Sequence, residues 1–132
     1  GAFDRVREVA VADRYVHVEA GCTWAKLAEA LAPHDLAAAV AGPVSGRRAT
    51  VGGALSMHAA FWGSARSGTV ADAVLGLELV SGLGERIRTG SLGVAGCNGF
   101  SRHFGPDLSG LFLGDCGAFG LKTAAVLRLV PA

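Results

Sequence analysis

The stretch 121–130 sets Lys122, Ala124, Val126 and Arg128 in alternation with Leu121, Thr123, Ala125, Leu127 and Leu129. That is the period of a strand with one buried face, and such a strand needs partners. The other end of the chain offers them. Residues 5–11 (Val6, Val9, Val11) and 14–20 (Tyr15, Val16, His17, Val18, Glu19) read as a hairpin turning at Asp13. A second hairpin is predicted where the apolar run 74–80 and the shorter run 85–89 flank Ser81-Gly82-Leu83-Gly84, residues suited to a tight turn. Between these strand pairs, Gly21 ends a strand, Thr23 can cap a helix, and Trp24, Leu27, Ala28 and Leu31 recur at helical spacing until Pro33. Residues 39–70 carry few charges and many small residues, among them Gly42, Pro43, Ser45, Gly46, Gly63, Ser64, Ser67 and Gly68. They are expected to be mostly loop around one short helix near 51–59. Strands and helices do not alternate in the order that builds a parallel doubly wound sheet. The predicted class is α+β, a mostly antiparallel sheet flanked by short helices.

With 132 residues the chain has room for one core, too little for a cofactor domain plus a substrate domain. Apolar residues make up 51% and charged residues 17%, which places it among folded rather than disordered chains. Its net charge of +1 comes from scattered, nearly balanced groups, so nothing favours nucleic acid or an anionic membrane as partner. No apolar run approaches the roughly 18 residues that span a bilayer, and no signal-peptide pattern is present; a soluble, cytoplasmic setting is the default expectation. Cys22, Cys97 and Cys116 lie far apart and read as reduced, buried thiols. His17, His34, His58 and His103 show no metal-ligand spacing, and no metal site is predicted.

The segment most suggestive of chemistry is Thr50-Val51-Gly52-Gly53-Ala54-Leu55-Ser56-Met57-His58. Two glycines at a helix start let a ligand approach the backbone, and unpaired N–H groups of a first helical turn favour anionic oxygens such as those of a diphosphate. The same glycines could equally serve a turn or close packing, and His58 could be a packed histidine. Gly114-Asp115-Cys116-Gly117-Ala118 resembles a nucleophile elbow, with His103 and Asp107 as conceivable helpers. That pattern requires glycine where Ala118 stands and a helix where a strand is expected here. No Gly-x-Gly-x-x-Gly supports a nicotinamide site.

Five stretches taken in order carry a resemblance: Val16-His17-Val18-Glu19-Ala20-Gly21-Cys22-Thr23-Trp24; Pro43 with Thr50-Val51-Gly52-Gly53-Ala54; Arg66-Ser67-Gly68 with Asp72-Ala73-Val74-Leu75-Gly76-Leu77-Glu78-Leu79-Val80; Gly105-Pro106-Asp107-Leu108 with Leu111-Phe112; and Gly114 to Thr123. Together they resemble the FAD-binding (PCMH-type) domain of the vanillyl-alcohol oxidase superfamily, the group with glycolate oxidase subunits and D-lactate dehydrogenases. The family's pattern for the last stretch is Gly-Ser-Glu-Gly-Thr-Leu-Gly-Ile-Ile-Thr. The resemblance implies that residues 1–132 are the second, larger of two subdomains that hold an extended FAD. The first subdomain and the substrate-binding cap would then lie outside this sequence.

It implies that Thr50, Gly52, Gly53, Ala54, Ser56, Met57 and His58, with Pro43, line the cofactor's diphosphate and ribityl chain, and that backbone near Gly120 and Leu121 meets its other end. His58 and Ser67 depart from the Asn and the aromatic residue common at those places. The implied reaction of the parent is hydride transfer from a 2-hydroxy acid or other alcohol to the flavin, with the substrate bound through the cap. No catalytic residue is assigned within this chain, which alone is expected to be inactive and to self-associate through apolar surface. The alternative is a stand-alone α+β module binding some other phosphate-containing ligand.

Overall fold

A computed structural model describes residues 2–40, 46, 48–61 and 64–132. The described elements are β1 (Val6–Ala10), β2 (Tyr15–Glu19), α1 (Trp24–Leu31), β3 (Leu36–Ala38), α2 (Val51–Ser56), α3 (Ser64–Ser67), α4 (Val70–Ala73), β4 (Val74–Val80), β5 (Arg86–Arg88) and β6 (Leu121–Pro131), with short 3-10 turns at 32–34, 90–93 and 109–112. The class is α+β, and the named strands pair antiparallel in the order β1-β2-β6-β4-β5, with β3 added to the end of β6.

Both expected hairpins form. In the second, Ser81 fixes the turn: its N–H donates to the Glu85 carbonyl, and its hydroxyl accepts from Leu83 and Glu85 N–H. Gly84 there has φ +80°, a conformation L side chains rarely adopt. The long last strand is the centre of the sheet, where β2 and β4 pair with it on either side. Val16, Val18, Leu77, Ala125 and Leu127 form the core layer, under α1 and α2. Helix α1 buries Trp24, Leu27 and Leu31 against it and starts at Thr23, whose hydroxyl accepts the Lys26 N–H at 3.2 Å.

Three expectations need correction. Lys122 is buried where the pairing of β6 with β4 shifts register, opposite the core residue Leu79. β6 was expected to bury one face, yet Ala124 and Val126 are buried as well as Ala125, Leu127 and Leu129. The segment around Leu92 and Gly99 lies on this second face: a Cβ on Gly99 would fall 2.6 Å from the Val126 side chain. The 39–70 stretch holds α3 and α4 in addition to α2. Helix α4 is a single turn held at its start by Asp72, whose carboxylate accepts the Thr69 N–H at 2.6 Å. Finally, of the three free thiols only Cys22 is buried; Cys97 is half-buried and Cys116 exposed.

Candidate functional site

The site is built around the two ends of α2. At its start, residues 49–51 run beside 22–24: Trp24 N–H donates to Ala49 O at 3.1 Å and Val51 N–H to Cys22 O at 2.9 Å. Gly52 N–H donates to Ala20 O at 2.8 Å, and the Thr50 hydroxyl accepts the Gly53 N–H at 3.2 Å. The first-turn N–H groups expected to await an anion are therefore already paired with this chain. That removes the simplest argument for a diphosphate at the helix start.

At its other end, α2 would leave carbonyls without partners. The 114–116 loop supplies them: Gly114 N–H donates to Leu55 O and Cys116 N–H to Ser56 O, each at 2.9 Å. This docking fixes the approach to β6 beside α2. Asp115 then shapes the next turn, its carboxylate accepting Gly117 N–H at 3.0 Å, Phe119 N–H at 3.3 Å and the Lys122 ammonium at 2.6 Å. Those bonds and the Lys122 charge hold the Asp115 carboxyl below its ordinary value against the opposing effect of burial.

A groove of about 400 Å³ results between the two segments, with Thr50, Gly52, Gly53 and Ser56 on one side and Gly117, Gly120, Leu121 and Lys122 on the other. Ala20 and Gly21 close its end, and Phe3 borders it. A shallower depression that shares Phe3, Gly117, Gly120 and Leu121 continues it toward Val80 and Thr123. Six of the predicted site residues thus meet at one groove although about 65 positions separate the two groups in sequence.

The glycines differ in why they are there. A Cβ on Gly52 would lie 2.7 Å from Ala20 Cβ and 3.1 Å from its carbonyl oxygen, so Gly52 lets α2 sit on β2. On Gly53 a Cβ would meet only Thr50 Oγ1, at 3.0 Å, and Gly53 is exposed to the groove. Gly120 lacks room for a side chain because Leu79 Cδ1 and Val80 O would stand 2.8 and 2.9 Å away.

The other expected residues fall elsewhere. Ala54 is buried in the core, Met57 is exposed, and neither it nor His58 lines the groove. His58 has φ +47° and its ring lies over Gly114. Pro43 is outside the described residues. Sequence reasoning missed Lys122 as a groove residue and Asp115 as its partner; the available signal was that they depart from the family's Ile and Ser.

Elsewhere on the sheet, Arg5 and Arg7 hold the buried Glu19 carboxylate, at 3.0 and 3.1 Å, and Arg7 reaches Glu78 at 2.9 Å. Those hydrogen bonds depress the Glu19 carboxyl to about 2. A separate apolar cavity of about 430 Å³ lies under α1 and β3, lined by Trp24, Leu27, Leu31, Leu36 and Val40; no predicted site residue reaches it. Cys116 opens no nucleophile elbow, because strand β6 and not a helix follows its loop, while Asp107 is engaged by Arg102 at 2.8 Å. Among the described residues no group of three or more His, Cys, Asp or Glu could hold a metal, and no described helix is long and apolar enough to cross a membrane.

A central antiparallel sheet thus carries a glycine-opened helix start with a glycine-rich turn facing it. The sequence profile of the FAD binding domain matches residues 1–90, and the chain belongs to that family; its cofactor is FAD. Over 89 residues it is 34% identical to the glycolate oxidase subunit GlcD of Bacillus subtilis (strain 168), a match covering 67% of this chain and 18% of that relative.

Proposed function

We propose that this chain is the second FAD-contacting subdomain of a flavin-dependent oxidoreductase that oxidises a 2-hydroxy acid or another alcohol, in a soluble, cytoplasmic protein. The observation that carries the reading is the meeting of Thr50, Gly53 and Ser56 with Gly120 and Leu121 at one groove. FAD, when bound, supplies the hydride acceptor. This chain's residues would bind and orient it: the open face of Gly53 and the Gly117 turn allow close backbone approach, and the Thr50 and Ser56 hydroxyls offer polar contacts. Gly52, packed on Ala20, and the buried Ala54 behind it fix α2 on the sheet. The substrate class is supported by the likeness to a glycolate oxidase subunit, of which this chain spans 18%, and substrate contacts are assigned to other parts of the parent protein.

The test is an anaerobic absorbance experiment on the protein at its full native length. Copurified flavin should show its visible bands, and those bands should bleach on adding a 2-hydroxy acid. Bands that bleach only with other alcohols would redirect the substrate class. A colourless protein that takes up no added FAD would favour a module for another phosphate ligand, a reading the paired first-turn N–H groups of α2 count against.

A further inference from the structure

Lys122 stands on the groove side of β6 with its side chain 3% exposed, and Asp115, its partner at 2.6 Å, is 1% exposed. A buried ammonium is tolerated only when it is paired and hydrogen-bonded. Asp115 meets that need and, by also accepting Gly117 and Phe119 N–H, makes the loop that forms one groove wall. Yet an ammonium carries three N–H groups, and among the described residues Asp115 is the one acceptor that Lys122 has. The remaining donors belong to a residue that lines the groove, on an ammonium held behind that lining by Asp115. The groove's backbone N–H groups at Gly53 and Gly117, on its two sides, are already used within the chain.

We propose that Lys122 is a cofactor-contacting residue, donating from its anchored ammonium to an anionic oxygen of the bound FAD, and that Asp115 is the positioning residue that holds both the ammonium and the 115–119 turn. This rests on the groove being the FAD site. The ammonium replaces the helix start as the groove's source of positive charge. Its oxygen partner belongs either to the diphosphate or to the flavin ring, whose oxygen gains charge on reduction.

The experiment uses the full-length protein stripped of flavin, with FAD titrated by calorimetry into wild type, Lys122→Met, and the double variant Asp115→Ser with Lys122→Ile. The double variant removes both charges together and so avoids stranding a buried carboxylate. Circular dichroism and urea unfolding establish that each variant is folded. FAD affinity should fall about tenfold or more in each folded variant, as expected for a lost charge-assisted hydrogen bond. If the partner is a ring oxygen, the variants should also have a lowered flavin reduction potential, whereas with a diphosphate partner their potential should be unchanged. Wild-type affinity together with wild-type potential in either folded variant would overturn the proposal. Failure of the wild type itself to bind FAD would instead overturn the reading of the groove.

Discussion

Gly52 and Gly53 are neighbours with opposite surroundings, and substitution should separate them. Ala at 52 must displace Ala20 backbone or α2 itself; Gly52→Ala is expected to cost about 1–3 kcal/mol in urea unfolding. A side chain at 53 presses only on a threonine hydroxyl, so Gly53→Val should change stability by about 1 kcal/mol or less while obstructing the groove. Equal stability losses at both sites would show that Gly53 too is a packing glycine. Glu19 gives a pH prediction. Its carboxyl titrates near 2 in the folded chain against an ordinary 4.5, so the folded state holds the charged form more firmly. Stability from this group is complete above about 4.5 and drains away as the pH falls toward 2. Urea midpoints measured from pH 6 to pH 3 should decline, and Glu19→Gln should decline less over that window; parallel curves would refute the assignment.

Elements with a period of their own were legible in the sequence. Helix α1 announced itself through Trp24, Leu27 and Leu31 behind Thr23, and both hairpins through apolar runs around turn residues. Thr23→Ala should lose the cap and about 1 kcal/mol of stability, with FAD affinity unchanged because Thr23 does not line the groove. A fall in affinity would mean that α1 and the site are coupled. The elements that escaped have no period to show. Strand β3 is three residues, Leu36–Ala38, made a strand by pairing with residues 129–131 of β6, and α3 and α4 are single turns. The burial at the start of β6 was hidden because Lys122 reads as a solvent residue until Asp115 is brought to it. The glycine pair of α2 was visible, but which glycine packs and which faces outward depends on where β2 passes.

At the scale of the molecule, the sheet centred on β6 carries α2 on one side and the 114–120 turn at its start, which is why sequence-distant residues share the groove. Apolar side chains are exposed around it: Phe3 and Leu121, which line it, and Met57 and Phe119, next in the chain to lining residues, are more than half exposed, Leu121 at 68%. Isolated monomers rarely leave such a set uncovered, and the 132-residue chain alone is expected to self-associate in sedimentation velocity runs at rising concentration. A monomer throughout would mean that this rim is not an apposition surface. The central claim, that FAD lies in the groove between Gly53 and Gly120, is tested most directly by titrating FAD into the flavin-free, full-length protein and its Gly53→Val variant. Tight binding by wild type and a loss of about tenfold or more in a variant that unfolds at the wild-type urea concentration is the predicted result. Undiminished binding by the folded variant would contradict it.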